Sequence, residues 1–125
     1  MGIITLANEL KLNTARLNEL EEQLTLIKAR QAETVESLIS DNNLLHRLTT
    51  EYRVCSNVDS GLRYSIAAHL ERVSDVTNRA ILKKRLLDDK SFRQIADDLH
   101  FEERQIRRRY RVAVLQADTS TYNQS

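Results

Sequence analysis

Apolar residues recur at intervals of seven through the first half of this chain. Ile3, Leu10, Leu17, Leu24, Leu38, Leu45 and Tyr52 hold one set of positions, and Leu6, Leu20, Ile27, Leu48 and Cys55 hold a second set offset by three. Only Asn13, Gln31, Thr34 and Asp41 interrupt the two series. Two such sets are the a and d positions of a heptad, and they lay one apolar stripe along a helix. The pattern predicts a coiled-coil segment over residues 1–55, whose helix from residue 3 would be roughly 80 Å long at ~1.5 Å per residue. A helix with a single stripe needs a partner to cover it. Leu6, Leu10, Leu17, Leu20, Leu24, Ile27, Leu38, Leu45 and Leu48 are then the seam of a homo-oligomer, a dimer in its simplest form, with Asn13 as a register device. The polar positions Gln31, Thr34 and Asp41 keep a second arrangement open. Val35, Ile39 and Leu44 offer a shifted stripe, and a fold-back near SDNN, residues 40–43, would turn the segment into a helical hairpin.

The period is lost at SNVDSG, residues 56–61, where small polar residues and a glycine predict a linker. Beyond it, residues 62–117 predict a small helical domain. Leu62, Ile66, Leu70 and Val73 mark a short helix. A second helix starts at Ser74 and Asp75 and runs to about Asp88. Asp88, Asp89 and Lys90 form a turn. Ser91 with Gln94 three residues later is a capping box, and Phe92, Ile95, Ala96 and Leu99 give the next helix its buried face. His100, Phe101 and Glu102 make a turn of three residues. A last helix, with two acids in its first turn to suit the helix dipole, runs to about Ala117 and buries Ile106, Tyr110, Ala113 and Val114. The small Ala96 allows close approach, and Phe101 and Ile106 close the core. That spacing is the frame of a helix-turn-helix over residues 91–117, whose second helix stands out from the domain. Residues 118–125 read as a polar tail. The fold class expected is all-α.

Charge sharpens the picture. The net charge of +1 hides an asymmetry: residues 1–60 hold six Lys/Arg and nine Asp/Glu, a net of −3, and residues 61–125 hold thirteen and nine, a net of +4. Five arginines fall within RQIRRRYR, residues 104–111. With Ile106 and Tyr110 facing the core, Arg104, Arg107, Arg108 and Arg111 are exposed and Arg109 sits near the edge of the buried stripe. Guanidinium groups on a protruding helix can pair with guanine edges and with phosphate oxygens. Arg104, Arg107 and Arg108 are therefore the expected base-reading residues, and Lys90, Ser91, Arg93 and Arg111 the expected phosphate contacts.

Residues 75–117, ILKKRLLDDKSFRQIADDLHFEERQIRRRYRVAVLQA in particular, resemble the helix-turn-helix of sigma-factor region four and, more closely, the ArpU/RinA-like families of phage late-gene regulators. The shared features are the apolar-basic helix, the acidic turn, Ser-x-x-x-Ile-Ala-x-x-Leu and the late Ala. The chain departs from that pattern at His100, where Gly is usual, so His100 must adopt a tight-turn conformation that is uncommon for residues with a side chain. The resemblance implies a cytoplasmic phage or prophage transcription regulator that binds double-stranded DNA and contacts RNA polymerase. A ring-forming DNA-packaging protein of the small-terminase kind and a coiled-coil adaptor for an acidic protein are the alternatives.

Other chemistry is not indicated. His46, His69 and His100 are scattered, Cys55 is alone, and the two glycines make no phosphate loop. No catalytic role, cofactor or metal is expected, and no membrane span or secretory signal.

Overall fold

The computed structural model describes residues 1–30 and 33–119, all of whose regular elements are helices. They are α1 (Ile3–Ala29), α2 (Val35–Glu71), α3 (Val76–Leu86), α4 (Phe92–Leu99) and α5 (Glu103–Asp118). Gln31 of the expected seam and residues 120–125 of the expected tail lie outside the described residues. Among the described residues no helix is long and apolar enough to cross a membrane. The chain divides into two compact units, one of residues 9–61 and one that joins residues 1–8 to everything from Leu62 onward.

The 9–61 unit is an antiparallel hairpin of α1 and α2, which replaces the single straight helix. The reversal lies between Ala29 and Val35, not at residues 40–43, which are helical. Local chemistry explains the position. Lys28 stands in the last turn of α1 and Glu36 in the first turn of α2, each matching the dipole at its end. The Thr34 hydroxyl accepts the Ser37 N–H at 3.0 Å, an N-cap. Asp41, polar within the apolar series, receives the Arg30 guanidinium across the turn. Deeper in the hairpin, Asn13 Nδ2 donates to the Cys55 carbonyl at 2.8 Å, Arg16 pairs with Glu51 at 2.6 Å, and the Tyr52 hydroxyl meets Glu21 at 3.1 Å. Leu10, Leu20 and Leu48 are buried in the chain's own fold. Leu17, Leu24, Ile27 and Leu45 are half-buried, and Leu38, beside the turn, is exposed. The heptad stripe is thus covered largely by the same chain.

Residues 56–61 form no linker. α2 passes through them without a break, and the Ser60 hydroxyl donates back to the Ser56 carbonyl. Half-buried Cys55, Asp59 and Leu62 follow one another at spacings of four and three, so a continued helix keeps its packed stripe in line. The separate helix expected at 62–73 is the last part of α2.

In the other unit the first turns of α1 join the C-terminal helices. Ile3, Leu6 and Ala7 are buried there with Ile66, Val73, Ile81, Leu82, Ala113 and Ala117. The Ile3 N–H donates to Asp118 Oδ1 at 2.8 Å, and Arg72 donates to the Ala117 carbonyl at 3.2 Å. Leu6, expected in an oligomer seam, therefore belongs to the C-terminal unit. Asp118, expected in the tail, is the last residue of α5.

Candidate nucleic-acid interface

α3, α4 and α5 assemble around Ile81, Ile95, Ala96 and Ile106, with Phe92, Leu99, Phe101 and Tyr110 packed against them. The Phe92 and Tyr110 rings meet edge to face, 5.1 Å between centroids. Asp75 caps α3 by accepting the Asn78 N–H at 3.0 Å. Ser91 and Gln94 cap α4 reciprocally: Ser91 Oγ accepts the Gln94 N–H at 3.1 Å, and Gln94 Oε1 accepts the Ser91 N–H at 2.8 Å. The turn into α5 passes through His100 at φ 61 and ψ 43, a left-handed conformation that makes the tight turn expected there. The Phe101 N–H returns to the Ala96 carbonyl at 3.0 Å, closing the end of α4. Glu102 then starts α5, its N–H donating to Gln105 Oε1 at 3.3 Å. Asp89 also has positive φ, 55°, which the turn sequence did not single out.

These packing choices fix where the arginines go. Ile106, Ala113 and Ala117 are buried and Tyr110 is half-buried, so the opposite face of α5 carries Arg104, Arg107, Arg108 and Arg111, all exposed. With Glu103 they line a surface cleft of about 340 Å³. Among the described residues no hydrogen bond or ion pair engages Arg104, Arg108 or Arg111. Arg107 is held more firmly: it pairs with Glu103 at 3.3 Å and stands over the Phe92 ring at 4.7 Å, as Arg85 does at 4.4 Å.

Arg109 points the other way. Its Nη1 donates to Asn78 Oδ1 at 3.1 Å and lies 3.9 Å from Asp75, and its guanidinium stands over Phe101 at 5.0 Å. Asn78 is the buried polar residue of this core, 7 % exposed. This link fixes the roll of α5 against the start of α3. Sequence reasoning missed it, although a signal existed: Asn78 stands three and four residues before Ile81 and Leu82, at a core position of α3.

The expected phosphate contacts divide. Arg93 is exposed on α4. Lys90 is bonded to Asp98 at 2.7 Å, with Lys84 also 3.6 Å from that carboxylate. The bond raises the Lys90 pKa above its ordinary value and lowers that of Asp98. Ser91 spends both its hydroxyl oxygen and its N–H on Gln94. Lys90 is thus shared with an internal anion, whereas the Ser91 hydroxyl, an acceptor toward Gln94, keeps its O–H proton to donate to a phosphate. The described residues contain no cluster of His, Cys, Asp and Glu suited to a metal ion.

The chain matches no protein-family model, and comparisons with curated proteins and with solved structures find no match.

Proposed function

We propose that this chain binds double-stranded DNA in a sequence-specific way by placing α5 in the major groove, as a regulator of transcription in a phage or prophage setting. The observation that carries the reading is the outward row Arg104, Arg107, Arg108 and Arg111 on a helix set off by a left-handed turn from a short capped helix. Helices presented in this way reach base edges, and arginine matches the guanine O6/N7 pair with two donors. Arg104 and Arg108, with Arg107 beside them, read bases. Arg111 and Arg93 meet phosphates. Nothing in this role needs a catalytic group or a cofactor, and RNA polymerase is the natural second partner of such a regulator.

The test is titration of the full chain against a duplex selected from a random pool and against a scrambled duplex, at several salt concentrations. Arg104→Ala or Arg108→Ala should cost ~1–3 kcal/mol on the selected duplex and flatten its preference at one base pair. Arg111→Ala should weaken both duplexes alike and reduce the salt slope by about one. Unchanged binding in all three variants would show that the row does not read DNA.

The hairpin of α1 and α2 favours a second reading, a DNA-packaging component of the small-terminase kind, because folded-back helical hairpins suit ring assembly. Particle mass separates the two: a ring contains many copies, a regulator few.

A further inference from the structure

The hairpin unit has two long flanks, and they differ. At about 100° per residue, Leu12, Glu19 and Leu26 fall on the flank of α1 that carries Arg16. Val54 and Val58 fall on the flank of α2 that carries Glu51. The Arg16–Glu51 ion pair at 2.6 Å sets these two flanks on the same side. That side exposes Leu12 at 75 %, Leu26 at 71 %, Val54 at 56 % and Val58 at 45 %. It also holds a groove of about 1070 Å³ lined by Leu26, Ile27, Leu44 and Leu48 among polar and charged side chains that include Arg16, Arg47 and Glu51. The other side, bridged by Tyr52 and Glu21, presents Thr25, Lys28, Thr49, Arg53, Ser56 and Ser60, all exposed, and beside the turn the exposed Val35 and Leu38. A hairpin whose length exposes aliphatic side chains mainly on one side, between charged residues, has a face suited to a further layer.

We infer that this layer is a second copy of this chain, docked flank to flank to complete a four-helix bundle. Three observations select that occupant. Leu12, Glu19 and Leu26 repeat at sevens, as do Arg47 and Val54, a spacing that suits a helical partner. Leu12 and Leu26 lie equally far on either side of Glu19, so a two-fold copy running antiparallel sets each Leu12 against a Leu26. The charges between them sum to zero, Arg16 and Arg47 against Glu19 and Glu51, and the Glu19 that this two-fold sets against its own copy is held by Arg16 at 3.2 Å. The unit as a whole, with six Lys/Arg and nine Asp/Glu over residues 9–61, carries −3 and repels phosphate. The area falls at the low end of the stable class. Two helices of about 20 residues present a face of about 30 by 20 Å, or roughly 600 Å² per copy, against ~800 Å² per partner in a standard stable interface. This pairing does not depend on DNA binding. It concerns a separate unit and is read by mass.

The test is sedimentation equilibrium of the full chain without DNA at micromolar concentration. The expected mass is twice the single chain's 14.5 kDa. Leu12→Glu with Leu26→Glu should raise the dimer dissociation constant by ~100-fold or more through like charges brought together. Both positions are exposed in one chain, so helicity and thermal midpoint at low concentration should be unchanged. Thr25→Glu with Thr49→Glu, on the side bridged by Tyr52 and Glu21, should leave the mass at two copies. A wild-type mass of one copy, a ring of many copies, or a Leu12/Leu26 double variant that keeps the two-copy mass would each overturn the inference.

Discussion

Asp98 shows how one residue tunes the candidate interface. Its carboxylate holds Lys90 at 2.7 Å and lies 3.6 Å from Lys84, so two cations beside the start of α4 face an internal anion. Asp98→Asn should release them toward phosphate. The expected outcome is tighter binding to selected and scrambled duplexes alike, with a salt slope steeper by about one for each cation recruited. Salt-dependent titration checks this, and an unchanged slope would mean the lysines do not face the backbone of DNA. The same pair is pH-sensitive in a defined sense. The Asp98 pKa is lowered on folding, chiefly by the hydrogen bond from Lys90. Its contribution to stability is therefore complete above the ordinary carboxylate pKa and is lost as pH falls through the folded value. Stability of the wild type should decline more steeply than that of Asp98→Asn in that acid range, as followed by urea unfolding.

At the scale of elements, α4, its turn and α5 could be read from sequence because each local choice agreed with the packing. Ser91 and Gln94 cap, Ile95 and Ala96 bury, His100 turns, and Ile106 closes the core. The hairpin's reversal could not be placed so well. SDNN looks like a turn, but Asp41 is satisfied by Arg30 and the helix runs through all four residues. The actual reversal is signalled by Thr34, whose capping role is visible only once the Ser37 N–H is located. SNVDSG misled for a similar reason, since propensity yields to a stripe that continues through Cys55, Asp59 and Leu62. Gly61 makes this testable. It sits inside α2, and a Cβ there would meet nothing within 4 Å. Gly61→Ala should stabilise the protein by ~0.5–1 kcal/mol through helix propensity. Chemical unfolding measures it, and a loss of stability would show that residue 61 is a break after all.

At the scale of the whole molecule, the two units are interleaved along the chain, so the sequence's acidic and basic halves are not its structural halves. The first eight residues belong with α3 and α5, as the buried Ile3, Leu6 and Ala7 and the bond from the Ile3 N–H to Asp118 require. A heptad reading extends the stripe of α1 back to Leu6, since the spacing is the same whichever unit covers it; only the tertiary partner differs, and periodicity carries no information about partners. The distinction has a measurable consequence. Leu6 is 6 % exposed, so Leu6→Ala removes buried methyl groups and should cost ~2–5 kcal/mol. Because Leu6 packs in the C-terminal unit, the loss should appear as faster amide hydrogen exchange in α3 and α5, around Ile81, Leu82, Ala113 and Ala117, while the mass in solution stays that of the wild type. If Leu6 instead served an oligomer seam, the variant would dissociate and exchange in α5 would be unaltered at equal protomer state. Exchange measured by mass spectrometry on both proteins, with sedimentation run on the same samples, separates the two outcomes.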